Sequence, residues 1–366
     1  MRIAFLTWRD TTHPDGGGSE IYVESVGAEL VARGHEVTVR CARYPGSART
    51  TTVAGVRIER RGGRLGVYPA GLAWLLGRGR SYDVVVDVIN GVPFATPLIR
   101  RRGVIALVHH LHREQWHIIY PRFWGHVGWF LESRLTPRLY RRVQFLTVSN
   151  ASAGALAMVG VDQRRVTVAR NGLVATPSAA VRSAAPRLCV LARLVPHKRI
   201  EHALRLVAEL RETVSELHLD VVGEGWWHPR LAAACADLGV GDSVTFHGHV
   251  TNTERDRLLG EAWLMVLPSV REGWGLAVLE AAAQGTPTAA YRSAGGVAES
   301  VVDGVTGVLA EDYADLRARV QALLDDQATL RRLGNAARQR ATQFTWAKTA
   351  DTVEEVLARS VSETRS

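Results

Sequence analysis

Two glutamates, Glu272 and Glu280, lie eight residues apart around a Gly-Trp-Gly turn in the segment REGWGLAVLEAAAQG, residues 271–285. The apolar run AWLMVLPS before them predicts a buried strand, and LAVLEAAAQG predicts a helix that ends at Gly285. Backbone N–H groups at the start of such a helix suit a diphosphate. A carboxylate accepts two hydroxyls at once, so Glu272 can hold sugar hydroxyls and Glu280 can reach a ribose diol. For isolated glutamates, a capping acid and a solvent-facing helix acid are the commoner explanations, so the assignment depends on the rest of the chain.

A glycine-rich loop joins the first predicted strand, RIAFLTW, to the first predicted helix. Its sequence DGGGSE, residues 15–20, contains Gly17 and Gly18, which let a ligand approach the backbone closely. Ser19 and the start of the helix suit a phosphate or an acceptor oxygen. The dinucleotide pattern G-x-G-x-x-G is not satisfied, because GGGSEI lacks the last glycine.

Three histidines, His109, His110 and His112, follow the predicted strand VIALV. A metal site is one interpretation, but a strand end with alternating side-chain directions supplies too few ligands for tetrahedral zinc. The sequence also contains no Asp-x-Asp, a carboxylate pair that holds a divalent ion in many enzymes. We therefore expect no metal site.

The segment of residues 100–142 carries nine arginines against two acidic residues, with aromatic residues between them. Arginine and tryptophan in an interrupted helical pattern are typical of a membrane interface. The same composition suits stacking on a sugar acceptor and, less well, on single-stranded nucleic acid. A packed helix with a charged outer face is the alternative, and we expect no nucleic-acid partner. The candidate acceptor or membrane residues are His110, Arg113, Trp116, Trp124 and Trp129.

Short apolar runs alternate with amphipathic segments along all 366 residues, which predicts an α/β protein. The length suits two domains, and the small-residue segment 174–186 is the best linker candidate. We expect two Rossmann-like domains with doubly wound parallel sheets facing across a cleft, an N-terminal one at residues 1–175 and a C-terminal one at 186–345. Residues 346–366 are expected to form a helix that packs back on the first domain. Ligands of such sheets bind beyond the carboxyl ends of the strands.

The composition is that of a globular protein, with 46% apolar and 22% charged residues. A net charge of +9 favours anionic partners. The three cysteines are widely spaced, which argues against a disulfide framework and fits a reducing cytosol. The first residues predict a strand rather than a secretory signal, and the longest charge-free stretch is too polar to span a membrane. We expect a cytoplasmic protein, with a peripheral position on the inner face of the membrane as the alternative.

The segment PSVREGWGLAVLEAAAQGTP, residues 268–287, resembles the signature of the retaining GT-B glycosyltransferases of family 4. In that signature a glutamate, seven residues and a second glutamate are followed by an Ala-Gly-Pro-like turn. Other segments match in the family's order and together cover nearly the whole chain. They are GGSE, LVHH, TVSN, RNGL, ARLVPHK, VVGEG, FHGHV, GGVAE and DGVTG. Each is weak alone, and the ordered set carries the resemblance.

The resemblance implies roles for individual residues. Arg193 and Lys198 match the family's arginine and lysine that bind the donor diphosphate, and His109 matches a histidine that contacts the donor sugar near the reacting carbon. Ala192 stands where the family usually has glycine, which matters only if the backbone there needs a positive φ. The implied catalytic residues are His109, Glu272, Arg193 and Lys198. The implied donor-binding residues are Gly17, Gly18, Arg193, Lys198, Gly223, His249, Glu272, Gly273, Trp274, Gly275, Leu276 and Glu280.

The implied activity is the retaining transfer of a hexosyl unit from a UDP- or GDP-linked sugar to an acceptor hydroxyl, by a front-face reaction without metal or other cofactor. The implied partners are the nucleotide sugar, bound by the C-terminal domain, and a sugar, lipid or natural-product acceptor, bound by the N-terminal domain. The net charge and the composition of segment 100–142, rather than the resemblance, suggest an anionic membrane surface as an alternative contact. A nucleotide-sugar epimerase or a sugar phosphorylase on the same scaffold, and a non-catalytic anionic-lipid-binding protein, are the competing interpretations. Neither the donor base nor the acceptor has a recognisable residue pattern in the sequence.

Overall fold

The computed structural model describes residues 1–173 and 181–365, with side chains through residue 362. Residues 174–180 of the predicted linker lie outside this range. The described chain divides into two compact units. The first unit is Met1–Gly172 together with the segment from Thr345 onward, and the second unit is Leu173–Phe344.

The first unit contains an eight-stranded sheet in the order β3-β4-β2-β1-β5-β6-β7-β8, in which only the β3–β4 pair is antiparallel among the described strands. Its strands are β1 (Arg2–Leu6), β2 (Glu36–Cys41), β3 (Thr50–Val53), β4 (Val56–Arg60), β5 (Val84–Val88), β6 (Val104–Val108), β7 (Gln144–Thr147) and β8 (Val166–Val168). Its helices up to β8 are α1 (Gly18–Ala32), α2 (Val67–Leu76), α3 (Arg113–Ile119), α4 (Arg122–Phe130), α5 (Thr136–Leu139) and α6 (Asn150–Met158). A π-helical segment, Leu131–Leu135, joins α4 to α5. Short 3-10 turns lie at Arg78–Ser81, Thr96–Leu98 and Gln163–Arg165.

The centre of this sheet is apolar on both faces. Every residue of β5 and β6 is buried, and so is every residue of β1 after Arg2. Strands covered on both faces form continuous apolar runs rather than alternating ones, which is why VVVDV and VIALV were recognisable as strands. The exception is Asp87, which is fully buried and accepts hydrogen bonds from Tyr140 and Thr96.

The second unit contains a six-stranded, all-parallel sheet in the order β11-β10-β9-β12-β13-β14. Its strands are β9 (Arg187–Leu191), β10 (His218–Val222), β11 (Val244–Gly248), β12 (Leu264–Leu267), β13 (Thr288–Tyr291) and β14 (Gly307–Ala310). Its helices are α7 (Ile200–Leu210), α8 (His228–Asp237), α9 (Asn252–Glu261), α10 (Leu276–Ala283), α11 (Val297–Ser300), α12 (Tyr313–Asp325) and α13 (Gln327–Ala341). Short 3-10 turns lie at Pro196–Lys198 and Gly241–Ser243.

The two sheets confirm the predicted fold class of two Rossmann-like α/β domains. Helix α7 shows why these segments form amphipathic helices. Its apolar residues Ile200, Ala203, Leu204 and Val207 recur at helical spacing and are all buried. Among the described residues, no helix is both long and apolar enough to cross a membrane.

The final helix, α14 (Trp346–Arg365), belongs to the first unit. Glu354 on α14 accepts hydrogen bonds at 2.8 Å from Arg33 Nη1, at the end of α1, and lies 2.8 Å from His35 Nε2. Trp346 makes an edge-to-face contact with Tyr22 of α1, at 5.7 Å between ring centroids. The helix is thus fastened to α1 by a charged contact and an aromatic one.

We expect Glu354→Gln to lower the free energy of unfolding by about 1 kcal/mol at neutral pH, since the exchange removes a partly buried charge from two basic partners. Hydrogen bonds from Arg33 and His35 hold the pKa of Glu354 below its usual 4.5. A lowered pKa stabilises the fold above the unfolded-state value, and the contribution is lost as pH falls through the folded-state pKa. The difference between the free energies of unfolding of wild type and variant, measured with urea, should therefore become smaller below about pH 4.5. Glu355→Gln, at the exposed neighbouring position, is the control. If Glu354→Gln and Glu355→Gln lowered the free energy of unfolding equally, Glu354 would have no specific stabilising contact with Arg33 and His35.

Candidate active site

The second unit's site is built by loops that follow its parallel strands, whose carboxyl ends lie on one edge of the sheet. The loop after β9 contains Arg193 and Lys198, and the loop after β12 contains Glu272. Val270 N donates to His197 O at 2.9 Å, which joins the two loops through their backbones. The sheet therefore brings together residues that are more than seventy positions apart in sequence.

Lys198 and Glu272 form the central contact of this edge. Lys198 Nζ donates to Glu272 Oε1 at 2.5 Å, and Ser269 Oγ donates to the same oxygen at 2.7 Å. The side chains of Lys198 and Glu272 are only 15% and 13% exposed, so each charge is largely withdrawn from water. In such a contact the attraction between the two groups offsets part of the cost of removing them from water.

The backbone of Glu272 is fixed by a third loop, which follows β13. Glu272 N donates to Ala294 O at 3.0 Å, and Gly296 N donates to Glu272 O at 3.1 Å. A Cβ atom at Gly296 would lie 1.9 Å from Gly273 O, so only glycine permits this approach. The glycines of GGVAE and EGWG thus hold the loop that carries Glu272.

The turn after Glu272 leads into α10, whose first residue, Leu276, is half-buried. Gly275 precedes the helix with φ +88°, a conformation that favours glycine. Trp274 is 2% exposed, and its ring lies 5.3 Å from that of Phe344 in an edge-to-face contact. Its indole is therefore part of the packing of the second unit, and the donor contact implied for Trp274 stays a prediction.

Glu280 lies within α10 and accepts a hydrogen bond from Arg255 Nη1 at 2.7 Å. Burial raises the pKa of Glu280, and the attraction of Arg255 opposes this effect. Arg255 comes from α9 and also contacts Asp256. Sequence reasoning missed Arg255, because nothing in the pattern of α9 distinguishes it from the other charged residues there.

The remaining predicted donor residues of this unit lie along the same edge. Arg193 is half-buried and lies two residues beyond β9. At Gly223, directly after β10, φ is +125° and an added Cβ would lie 2.0 Å from Ala192 O. Gly223 N donates to Gly248 O at 2.9 Å, and exposed His249 donates its backbone N–H to Glu224 Oε1 at 3.0 Å. The ends of β9, β10 and β11 are thereby tied together.

In the first unit, His109 directly follows β6 and is 6% exposed. Burial, reinforced by the neighbouring His112, lowers the pKa of His109 to about 3, so the imidazole is neutral at pH 7. Its ring meets Tyr22 edge to face at 5.1 Å, and its carbonyl accepts from Ser152 Oγ at 2.8 Å. Within the described chain, the buried Nε2 of His109 has no hydrogen-bond partner. A neutral, oriented imidazole with one unused nitrogen is suited to hydrogen-bond a hydroxyl.

The glycine loop ends at the start of α1, where Gly17 N donates to Glu20 Oε2 at 2.7 Å. Glu20 Oε1 lies 3.4 Å from Arg9 Nε, and both side chains are buried. Gly17 and Gly18 are therefore positioned by a buried acid and a buried arginine. Sequence reasoning did not single out Arg9, although its place three residues beyond the end of β1 is a signal that could have identified it.

The histidine cluster is organised by Glu132, a buried residue of the π-helical segment. Its carboxylate accepts from His112 N and from Trp116 Nε1, each at 2.9 Å, and lies 2.8 Å from His112 Nδ1. His110 faces His112 at 4.4 Å between ring centroids. The structure shows no cluster of three metal-ligating side chains among the residues it describes.

The aromatic residues of segment 100–142 fall into two groups. Trp116 and Trp129 are half-buried, and Arg113 lies 5.8 Å from the ring centroid of Trp129. Trp124 and Phe123, on α4, are 60% and 69% exposed. The alternative of a packed helix therefore describes Trp116 and Trp129, whereas α4 has an exposed aromatic surface at Phe123 and Trp124.

Comparison with known proteins places this site in a family. Residues 177–340 match the family described as glycosyl transferases group 1, and residues 16–176 match glycosyltransferase family 4. The chain is 29% identical to a glycogen synthase of Mycobacterium tuberculosis, over 97% of this chain and 94% of that protein.

Solved structures share the fold. Sucrose-phosphate synthase from Thermosynechococcus elongatus superposes with a TM-score of 0.83 at 21% identity, over 98% of both chains. Anabaena HepE in complex with UDP and glucose superposes with a TM-score of 0.76 at 18% identity, over 98% of this chain and 100% of that chain. The chain belongs to the glycosyl transferases group 1 and glycosyltransferase family 4, and it is a two-domain glycosyltransferase.

Proposed function

We propose that the protein transfers a hexosyl unit from a UDP- or GDP-linked sugar to an acceptor hydroxyl, with retention of the anomeric configuration and without a metal ion. The observation that carries the proposal is the Lys198–Glu272 ion pair at the carboxyl edge of the second unit's sheet. This pair places a cation that can bind phosphate directly beside a carboxylate that can accept hydrogen bonds from hydroxyls. A nucleotide sugar presents both groups together, whereas a simple phosphate or a simple sugar presents only one.

In this proposal the cations of the second unit bind the phosphates of the donor. Lys198 and Arg193 lie on the loop after β9, and α10 begins beside Glu272 with its N–H groups directed out of the helix. Charge accumulates on the diphosphate as the sugar departs, and fixed cations at that position lower the barrier. These groups take the place of a divalent ion in the proposed reaction.

Glu272 and His109 orient the sugar. Glu272 Oε1 is already occupied by Lys198 and Ser269, so the second carboxylate oxygen is the one that accepts sugar hydroxyls. His109 remains neutral across the physiological range and supplies a hydrogen bond rather than a charge. In the front-face step the bond from the anomeric carbon to the phosphate oxygen breaks, and the acceptor oxygen bonds to the same face. The acceptor's proton passes to the departing phosphate oxygen.

The acceptor in this proposal is a sugar, a lipid-linked sugar or a natural product with a free hydroxyl. In this proposal the first unit binds the acceptor. The support is that the glycine loop at Gly17 and Gly18 is anchored by Glu20, which pairs with buried Arg9. The competing epimerase and phosphorylase interpretations differ in reaction, since neither forms a glycosidic bond from a nucleotide sugar to an added acceptor.

We expect Lys198→Ala to lower turnover of the donor by about 100-fold to 1,000-fold, because it removes a fixed cation from the leaving diphosphate. It should also reduce the rise in melting temperature that UDP or GDP produces in the wild type. The measurement is donor hydrolysis with a panel of nucleotide sugars, together with thermal shift on UDP, GDP and ADP. The chain has one other lysine, the exposed Lys348, so Lys348→Ala is a matched control. A nucleotide response unchanged in Lys198→Ala would contradict the donor site.

We expect Glu272→Gln to reduce turnover while the product that forms keeps the anomeric configuration of the donor. The amide still accepts from Ser269, but it no longer neutralises Lys198, so affinity for UDP or GDP should be equal to or above that of the wild type. Product configuration by NMR and intact-protein mass are the measurements, with exposed Glu355→Gln as the control. A covalent glycosyl adduct or an inverted product would refute the proposed mechanism.

We expect the ratio of donor turnover in His109→Gln to that in the wild type to stay constant from about pH 5 to about pH 8. The pKa of His109 is lowered to about 3, so the imidazole is already neutral throughout this range. Replacing it therefore removes no group whose charge changes between these pH values. The measurement is the pH profile of kcat/KM for both proteins. A ratio that changes tenfold across the range would show that His109 titrates during catalysis.

A further inference from the structure

We infer that the amino-terminal edge of the first unit's sheet, at strands β5 to β8, is a docking surface for an anionic lipid bilayer. This edge is opposite the carboxyl edge that carries His109, and the inference is independent of the catalytic proposal. It rests on the placement of arginines, on how two of them are fixed and on the apolar residues exposed between them.

Four neighbouring strands are each preceded by arginines. The strands lie side by side in the order β5-β6-β7-β8 and are parallel, with Val85 paired to Val104, Ile105 to Gln144 and Phe145 to Val166. The turns that lead into them therefore meet at one edge. The exposed arginines of these turns, here termed the arginine edge, are Arg78, Arg80, Arg101, Arg102, Arg141, Arg142 and Arg164.

Two further arginines fix these turns to one another. Arg100, before β6, donates to the carbonyls of Gly79 and Asp83, which precede β5. Arg165, before β8, donates to the carbonyls of Tyr140 and Val143, which precede β7. Both guanidinium groups are half-buried. Hydrogen bonds thus join neighbouring turns in pairs, so the turns that carry the exposed arginines are held in fixed positions relative to one another.

Large apolar side chains are exposed in the same turns. Leu76 ends α2 and is 51% exposed, Leu98 is 68% exposed, and Met158 ends α6 and is 80% exposed. Each of these residues lies within eight positions of the start of the following strand. An open groove of about 410 Å³ lies among Leu75, Arg80, Ile99, Arg100, Arg101 and Arg102.

The acidic residues at this edge do not cancel its charge. Asp162 pairs with Arg164 at 2.9 Å, and Asp83 accepts from the backbone N–H of Arg2 at 2.7 Å. The triplet Arg100–Arg101–Arg102 and the pair Arg141–Arg142 have no acidic neighbour in sequence. Besides Arg164, the arginine edge has six exposed arginines against these two carboxylates, so the surface keeps a net positive charge.

The combination of charge and apolar exposure favours a bilayer as the occupant. Arginines attract anionic headgroups, and apolar side chains beside them enter the headgroup boundary. A soluble polyanion would use the arginines but leave Leu76, Leu98 and Met158 in water. Strands of five residues span about 16 Å, so a bilayer at this edge leaves the carboxyl edge open to a soluble nucleotide sugar.

The test is co-sedimentation of the full chain with vesicles of phosphatidylcholine, alone or mixed with phosphatidylglycerol. We expect binding only to the anionic vesicles, weaker at about 1 M than at about 0.1 M salt. Arg80→Gln/Arg101→Gln/Arg102→Gln should lower the partition coefficient by about 100-fold, at about fivefold per arginine. Leu76→Ser/Leu98→Ser/Met158→Ser, which preserves charge, should lower it by about tenfold.

The control is Arg331→Gln/Arg332→Gln/Arg359→Gln, which removes the same charge from exposed positions elsewhere and should bind as the wild type does. Melting temperatures of all variants establish that each is folded. Equal losses in both arginine variants would overturn the inference, because net charge alone would then explain binding. Loss only in Phe123→Ser/Trp124→Ser would overturn it by assigning docking to α4. Full displacement by inorganic polyphosphate, with no effect of the apolar substitutions, would overturn it in favour of a soluble polyanion.

Discussion

The contact between Lys198 and Glu272 is the constraint on which the second unit's site depends. Both side chains are largely withdrawn from water, so neither charge could remain there without the other. Three loops, after β9, β12 and β13, are held in register by the backbone hydrogen bonds around this pair. The charges are therefore in place before any ligand arrives, which avoids reorganisation during the reaction. The close approach of Gly296 to Gly273 O has the same effect, because a side chain at Gly296 would displace the loop that carries Glu272.

The first unit presents a different chemistry at its carboxyl edge. His109 is neutral because burial lowers its pKa, and the charges nearest to the histidine cluster are already engaged, as Glu132 is by His112 and Trp116. Arg9 is likewise matched by Glu20. This edge therefore offers directed hydrogen bonds with little net charge, which suits a hydroxyl-bearing ligand. The second unit offers a lysine and a carboxylate in direct contact, which suits a ligand that carries both phosphates and hydroxyls.

The strands, and the edge on which Lys198 and Glu272 lie, could be predicted from sequence, whereas the direct contact between these two side chains could not. Parallel strands buried on both faces form continuous apolar runs, and residues that directly follow such strands share one edge. The partner of Glu280 could not be predicted, because Arg255 reaches it from a neighbouring helix, and contacts between helices leave no local pattern. Trp274 shows what a motif leaves open. Its indole is packed against Phe344, because a motif fixes the backbone path more firmly than side-chain direction, and its donor contact stays a prediction. In segment 100–142, the π-helical turn breaks the helical period, and the sequence could not show which aromatic residues are packed.

The position of α14 has a consequence for how the protein is made. This helix covers the first unit with Trp346, Ala350, Val353, Val356 and Leu357, all buried, yet it is synthesised after the whole of the second unit. Ribosomes add roughly 5 to 20 residues per second, so the first unit's sheet waits on the order of ten to thirty seconds for its covering helix. Residues 173–344 form one uninterrupted stretch and can bury their own core in the meantime. The nascent first unit thus exposes an apolar groove along α1 throughout that interval, and this groove is where a chaperone would be needed.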